Sequence, residues 1–325
     1  MAVNIMGTGT TDFGPNVLQD MYLEQQFVMA LRARLVVQRL GKPSTLPENH
    51  GKNVRWQFFS NPTAKTSALS EGATPANSTD WTTTKAEATL QEFGGFTEFS
   101  KFLLKTGLSA TQEEIAKGLG DEAAITIDRL NLDQLNSGTP VQVDAGAAMT
   151  VDFLRQGAAK LQQAGQTTPG AFGPARPHPA TPGGQFYCAV LSSEAAYDML
   201  GEGSPTWSQV KNDQIEANLR TPFQDTPASA AAYGCIVKIS DNIQRETVAS
   251  PDDDENYIIG ADAFGVAALD TNVLDPSLII IRPESRTDKP LKNTGTAGWW
   301  LLYAVKVIDT KRYVELLTDA TGIGV

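Results

Sequence analysis

The sequence predicts an α+β protein arranged around one long helix. Three observations support this class: an amphipathic segment over 111–136, two strand-like segments separated by a long polar loop, and a second half of mixed strands and helices. The regular strand–helix alternation of a parallel sheet is missing, so the class is α+β and not α/β. With 325 residues, of which 41% are hydrophobic, the chain can form one large core or two moderate ones.

The long helix is predicted from apolar residues at spacings of four, four, four and three, which lie on one side of a helix. These residues are Ile115, Leu119, Ala123, Ile127 and Leu130. Ser109 or Thr111 can cap its start, and Ser137-Gly138 before Pro140 is expected to end it, with the glycine free to turn left-handed. Gly118 and Gly120 inside the helix each cost about 1 kcal/mol relative to alanine. The helix must therefore be held by packing, or another chain must approach it closely.

Two strands are predicted at Val54–Ser60 and Lys85–Leu90, and the second continues through Phe93, Phe96 and Phe99. The polar segment 61–84 between them is much longer than the two to five residues of an ordinary hairpin loop. It is either a loose surface loop or part of a projecting two-stranded arm that contacts another molecule, and the two good strands favour the arm. Gly94-Gly95 is expected to form a bulge or bend.

The remaining elements follow from periodicity and chain breakers. Helices are expected over 16–40, over 150–164 and around 206–219. Gly41, Pro43 and Pro47 are expected to end the first of them. The Pro- and Gly-rich segment 166–184 is expected to be a linker. Several strands follow, and the chain is expected to close with a hairpin that turns at Asp309-Thr310-Lys311, with Trp299 and Trp300 both packed in the core.

Composition and charge exclude several classes of protein. The sequence has no run of 18 apolar residues that would span a membrane, and its first residues do not have the pattern of a signal peptide. Cys188 and Cys235 lie in apolar strand-like segments, which predicts buried free thiols in a reducing cytoplasm. A net charge of −11 argues against a surface that grips nucleic acid and suits the wall of a container around a polyanion.

The sequence contains no pattern that predicts catalysis, a cofactor site or a metal site. His50 and His178 have no further ligand at metal-binding spacing, and no phosphate-binding glycine loop or nucleophile elbow occurs. The acidic run 252–255 lacks the spaced ligands of a calcium loop and is expected to be a solvated turn. We therefore expect a protein that is not an enzyme.

Four segments, taken together and in order, resemble the major capsid proteins of tailed bacteriophages, in the branch typified by N4-type phages. They are LSEGATPANS at 69–78, LGDEAAITIDRLNLDQLNSGT at 119–139, YIIGADAFGVAAL at 257–269 and GWWLLYAVKVID at 298–309. The resemblance runs from about residue 20 to residue 318. The Pro-rich segment 166–184 departs from it, since it is longer than the family pattern.

The resemblance implies the HK97-like capsid fold. It would comprise an N-terminal arm at 1–53, an extended loop (E-loop) hairpin at 54–100 and a peripheral domain at 101–184 with the spine helix at 111–136. The axial domain would follow at 185–325, with late strands that can return to the peripheral domain.

The resemblance also implies a mechanical function. Copies of the chain would assemble as pentamers and hexamers into the icosahedral shell of a virion, in the bacterial host cytoplasm, around double-stranded DNA that is not bound sequence-specifically. Separate scaffolding and portal proteins are expected, decoration proteins are further candidates, and no membrane is involved. The E-loop would lie over an adjacent subunit, with contacts expected from Trp56, Phe58, Lys65, Leu69, Glu71 and Trp81. Some members crosslink an E-loop lysine to a neighbour, and Lys65 is the lysine to compare.

Three alternatives remain open at the level of sequence. An encapsulin-type compartment has the same fold but holds enzyme cargo in place of DNA. Another virion structural protein, such as a tail or decoration protein, would not form closed shells. A soluble enzyme would be a monomer at all concentrations, and the absence of a catalytic pattern in the sequence disfavours it.

Overall fold

The structure is a computed structural model that describes most of the chain. The described residues are 15–47, 49–59, 68, 71–72, 83–106, 111–138, 140–144, 147–164, 175–181, 184–201, 230–232, 234–243, 253–269, 275–283 and 291–319. The helix expected around 206–219 lies outside these ranges. Within them, no helix combines the length and the apolar character needed to cross a bilayer.

Five α-helices occur in the described residues, and the longest is the predicted one. They are α1 (Pro15–Arg34), α2 (Lys101–Thr106), α3 (Thr111–Ser137), α4 (Val151–Ala164) and α5 (Ser193–Gly201). The predicted apolar side of α3 packs into the largest core cluster, together with α1. The prediction for α3 is therefore confirmed to within one residue at its end.

A five-stranded sheet lies against α1 and α3. Its strands are β1 (Lys42–Leu46), β4 (Gln91–Ser100), β10 (Phe264–Leu269), β11 (Ser277–Ile281) and β12 (Thr294–Val307). The long strand β12 pairs antiparallel with β4 along one edge, and with β11 and then β10 along the other, while β1 pairs parallel with β10. The core between this sheet and the helices contains Phe27, Leu31, Ile127, Trp299 and Tyr303.

A six-stranded sheet forms the second layer with α4 and α5. It has the order β5 (Val141–Asp144), β13 (Tyr313–Asp319), β9 (Asp253–Ile259), β6 (Tyr187–Leu191), β8 (Cys235–Ile239) and β7 (Ala230–Ala232). Leu154 and Leu161 of α4 pack on this sheet in their own core cluster. Thus β5 and α4, which lie within the range expected for a peripheral domain, pack with the strands of the later half of the chain.

The two remaining strands, β2 (Asn53–Phe59) and β3 (Thr83–Thr89), form an antiparallel pair that we call the hairpin. The range 54–100 was expected to form one projecting arm. Its last part, β4, instead pairs over ten residues with β12 of the body. The hairpin therefore ends at β3, and Leu90 connects it to β4 of the body sheet, with its N–H donating to the Lys52 carbonyl at 2.8 Å.

Cys188 and Cys235 are buried free cysteines on the neighbouring strands β6 and β8, as predicted. Burial in this apolar sheet raises the pKa of each thiol to about 12. Both sulfurs therefore stay protonated and uncharged at neutral pH.

Three expectations about turns and strand connections are wrong. The final hairpin does not form, because β12 belongs to the five-stranded sheet and β13 to the six-stranded sheet. The acidic run is not a solvated turn, since Asp254 and Glu255 are buried in β9. Gly94 and Gly95 do not form a bulge, because β4 pairs with β12 in unbroken register. The two glycines instead leave room for Trp299, whose carbonyl oxygen would lie 2.7 Å from a Cβ on Gly94.

Candidate interaction surface

The side chains of β12 alternate between the two faces of the five-stranded sheet. Trp299, Leu301 and Tyr303 are buried beneath α1 and α3. The residues between them therefore point to the opposite side, which we call the outer face. Trp300 lies there, so the expectation that both tryptophans pack in the core is correct for Trp299 and wrong for Trp300.

The hairpin of the same chain covers one half of the outer face. Val54 and Trp56 of β2 pack against Ala267 of β10 and Ala304 of β12 in a separate core cluster. The indole of Trp56 lies over Gly265, where a Cβ would come within 2.7 Å of Cζ2. The hairpin is therefore seated on a part of the sheet that has small side chains.

The other half of the outer face is apolar, and no element among the described residues covers it. Phe96 of β4, Gly298 of β12 and Ile279 of β11 form one row across the sheet, and Trp300 and Ile281 lie in the adjacent rows. We call Phe96, Ile279, Ile281 and Trp300 the apolar patch; they are 75%, 50%, 44% and 40% exposed. Contiguous exposed apolar side chains of this size are typical of surfaces that contact another molecule.

Acidic side chains border the apolar patch. Glu92 and Glu98 lie on the same side of β4 as Phe96, since each is an even number of residues away. Trp300 Nε1 donates a hydrogen bond to Glu92 Oε1, which fixes the indole across the strands. The surface therefore combines an apolar centre with negative charge at its rim, which favours a partner with apolar and basic groups.

The outward side of the hairpin carries charges of both signs and one exposed aromatic ring. Arg55 Nη2 lies 2.8 Å from Glu87 Oε1, and Lys85 Nζ lies 3.8 Å from the same oxygen. Phe59, the last residue of β2, is 60% exposed.

The residues predicted to contact a neighbour lie in different environments. Trp56 is only 5% exposed and packs within its own chain, so it offers little surface to a partner. Phe58 is half-buried, and Lys42 Nζ lies 5.0 Å from the centroid of its ring. Glu71 is exposed in a turn with Gly72. Lys65, Leu69 and Trp81 lie outside the described residues.

The apolar patch is not evident from the sequence. The segment SLIIIRP has four successive apolar residues, which predicts a buried or half-buried strand. In the structure, Leu278 and Ile280 pack against the core and the alternate residues do not. No signal in the sequence separates Ile279 and Ile281 from their buried neighbours, because a run of four apolar residues shows no alternation.

The described residues include no group of three or more His, Cys, Asp or Glu side chains that could hold a metal ion. The buried polar side chains link elements together. Asp128 of α3 accepts hydrogen bonds from the backbone N–H groups of Val36 and Val37, at 3.0 and 3.1 Å. Tyr303 Oη donates to Asn131 Oδ1 at 2.9 Å, and Tyr313 Oη donates to the Leu135 carbonyl at 2.8 Å.

No family model matches the sequence, and no curated protein sequence matches it either. Several solved structures are similar in fold. The capsid of Ralstonia phage GP4 has a TM-score of 0.72 at 10% identity over 88% of each chain. The capsid of Helicobacter pylori bacteriophage KHP30 has a TM-score of 0.61 at 11% identity, over 98% of this chain and 95% of that chain. A virus-like particle from Pyrococcus furiosus has a TM-score of 0.53 at 8% identity, over 92% and 99%.

These similarities cover nearly the whole chain, including both sheets. The chain therefore has the HK97-like fold of tailed-phage capsid proteins, as the sequence predicted. The relation to N4-type phages stays a prediction, because similarity at such low identity shows the fold alone.

Proposed function

We propose that this chain is the major capsid protein of a tailed bacteriophage and that its copies assemble, as pentamers and hexamers, into an icosahedral shell. The observation that carries this proposal is the similarity of fold to the Ralstonia phage GP4 capsid over 88% of each chain. The function is structural and not enzymatic. The virion is the final location of the protein, and the host cytoplasm is where it assembles.

The apolar patch is the proposed contact surface between copies. Partial burial of each of its four large side chains would contribute roughly 1 kcal/mol. A subunit in a shell is held at several edges, so modest contacts are sufficient for a stable particle. Weak single contacts also let wrongly placed subunits dissociate during assembly.

The hairpin of a neighbouring copy is the proposed occupant of the patch. The chain's own hairpin already fits the adjoining half of the same face, with Trp56 over Gly265. The exposed Phe59, and the excess of positive charge that Arg55 and Lys85 leave over Glu87, complement an apolar patch with an acidic rim. Lys65, Leu69, Glu71 and Trp81, which lie between the two hairpin strands in sequence, remain proposed contacts of this kind.

The two sheets are the proposed domains of the shell subunit. The five-stranded sheet with α3 would be the peripheral domain, and the six-stranded sheet with α4 and α5 would be the axial domain near the fivefold and sixfold axes. The segment preceding β2 would act as the N-terminal arm. In this assignment, α4 and β5 join the axial domain, because their core cluster is that of the six-stranded sheet.

The proposed shell encloses double-stranded DNA without binding it tightly. A net charge of −11 disfavours tight contact with phosphate groups, so packaged DNA would stay free of the wall. Separate scaffolding and portal proteins, and decoration proteins as further candidates, complete the proposal. An encapsulin-type compartment would differ in content, since purified particles would hold a protein cargo and no phage DNA.

The proposal is tested by assembly of the purified chain, measured by sedimentation velocity and electron microscopy. The wild-type protein is expected to form capsomer-sized oligomers or shells as its concentration rises. Ile279→Glu places a charge in the apolar patch next to the acidic rim and should shift the protein to monomers. Retained circular dichroism and thermal unfolding would show that the variant still folds.

Met29→Glu is the matched control, because Met29 is a similarly exposed apolar residue on α1, which lies on the opposite side of the five-stranded sheet from the patch. Its assembly should match that of the wild type. A wild-type protein that remains monomeric at every concentration, also with phage scaffolding protein present, would refute the proposed function. Equal assembly of Ile279→Glu and wild type would refute the role of the patch.

A further inference from the structure

The two sheets are joined by one continuous antiparallel ribbon. The chain passes from β9 in the six-stranded sheet to β10 in the five-stranded sheet, and later returns from β12 to β13. Tyr313 pairs with Ile259 on one side of the crossing, and Phe264 pairs with Val307 on the other. Residues 260–263 and 308–312 therefore cross between the sheets side by side, four residues on one crossing and five on the other, where Thr310–Arg312 form a short 3₁₀ helix. We call these two segments the joint.

Backbone hydrogen bonds hold the two crossings together. Gly260 N donates to the Arg312 carbonyl at 2.9 Å, and Ile308 N and Asp309 N both donate to the Ala263 carbonyl, at 2.9 and 3.2 Å. The unequal lengths of the crossings leave the middle of the joint without regular pairing. Asp262 in that middle has a φ of 58°, an uncommon conformation for a residue other than glycine.

The Arg312 side chain fills the unpaired middle of the joint. Its Nη1 donates to the Ala261 carbonyl at 3.3 Å and lies 3.4 Å from Asp262 Oδ2, both on the opposite crossing. Its Nε donates to Asp309 Oδ2 at 3.3 Å on its own crossing. Arg312 and Asp309 are both largely buried, so solvent weakens these contacts little.

Other segments pack around the joint and do not replace this contact. Lys42 Nζ lies 3.2 Å from Asp262 Oδ1, and Ala261 N donates to the Arg176 carbonyl at 2.9 Å. A lysine in place of Arg312 would keep the charge but could not bridge both crossings, because only the planar guanidinium presents donors in a fixed fork.

We propose that Arg312 is a positioning residue that fixes the angle between the two sheets, and that this angle sets the curvature of the shell. The inference rests on the proposed function, since curvature has meaning only for an assembled protein. A change of a few degrees in each subunit accumulates around a closed shell, so a looser joint should give particles of varied size. The contacts of Arg312 restrain twisting and bending of the ribbon in the middle of the joint, where the two crossings lack regular backbone pairing.

The first test uses the free subunit and hydrogen exchange. Arg312→Lys and Arg312→Ala should each increase the exchange rate of the Gly260, Ile308 and Asp309 amides about tenfold or more. Amides of β11, which pairs with β12 at residues 296–300 and away from the joint, should exchange as in the wild type. Lys306→Ala, which removes an exposed cation from β12, is the control and should leave the joint unchanged. If exchange at the joint is unaltered in both Arg312 variants, Arg312 does not restrain it.

The second test uses assembled particles, whose diameters are measured by electron microscopy. Arg312→Lys is expected to fold and to give a broader or shifted size distribution, whereas Lys306→Ala should match the wild type. Faster exchange with an unchanged size distribution would overturn the link to curvature. If the wild type itself forms no particles, the proposed function fails, while the exchange measurement still tests the restraint.

Discussion

Trp56 of the hairpin rests on Gly265 of the body sheet, with the nitrogen of the indole 2.8 Å from the position that a Cβ on Gly265 would occupy. This close approach seats the base of the hairpin on the outer face. Gly265 is required for space, because its φ is not in the left-handed region that favours glycine. The direction in which the hairpin leaves the body therefore depends on the absence of a Cβ at position 265.

Gly265→Ala should destabilise the protein by about 1–3 kcal/mol, because the new methyl group overlaps the indole. Urea unfolding measures the loss. Trp56→Ala removes the overlapping ring, so the double variant should be less destabilised than the sum of the two single variants. Strict additivity of the two substitutions would contradict the contact.

Gly118 and Gly120, two residues apart in α3, should respond to alanine in opposite directions. A Cβ on Gly118 meets nothing within 4 Å, so Gly118→Ala should stabilise the protein by about 0.5–1 kcal/mol through helix propensity. A Cβ on Gly120 would lie 2.6 Å from the Phe27 carbonyl of α1, so Gly120→Ala should destabilise it by roughly 1–3 kcal/mol. Thermal unfolding of both variants measures the difference, and equal shifts in the same direction would argue against the packing of α1 on α3.

Asp128 should make the protein more stable as the solution becomes moderately acidic. Burial raises the pKa of this carboxyl to about 6, against hydrogen bonds that favour the charged form. Because the folded-state pKa exceeds the unfolded one, the contribution of Asp128 is largest at low pH and is lost as the pH rises through 6. Asp128→Asn should therefore cost on the order of 2 kcal/mol more at pH 4 than at pH 7. Unfolding free energies at the two pH values test this, and a cost independent of pH would contradict it.

His178, in contrast to Asp128, should make the protein less stable as the solution becomes moderately acidic. Its Nδ1 accepts a hydrogen bond from Ala180 N at 3.1 Å, so Nε2 carries the proton and donates to the Leu40 carbonyl at 2.9 Å. Burial lowers the pKa of the ring. Its contribution to stability is thus present above the unfolded value of about 6.5 and is lost as the pH falls through the lower folded value. An NMR titration should place the midpoint of His178 below 6.5, and a midpoint above 6.5 would refute the neutral buried ring.

The sequence predicts α3 well because its apolar side follows one regular spacing. It predicts α4 and the two buried free cysteines for similar local reasons. The end of α1 was not predictable in this way. The helix expected over 16–40 ends at Arg34, because Asp128, more than 90 residues later, accepts the Val36 and Val37 N–H groups. No local pattern in the sequence reports such a contact.

Gly138 is a second position whose role depends on a residue far away in the sequence. It was expected to end α3 with a left-handed turn, but its φ is not positive. A side chain there would instead collide with the Tyr313 hydroxyl, which donates to the Leu135 carbonyl near the end of α3. The apolar patch could not be found either, because four apolar residues in a row do not tell which of them face solvent.

The two protonated thiols have a practical consequence. Maleimide reagents attack the thiolate, whereas both native thiols are fully buried and have a raised pKa, which disfavours that form at pH 7. A cysteine introduced at an exposed position would therefore take up a fluorescent dye alone, with both native sulfurs left in place. The natural sequence can thus carry single labels for fluorescence measurements between copies without prior removal of its own cysteines.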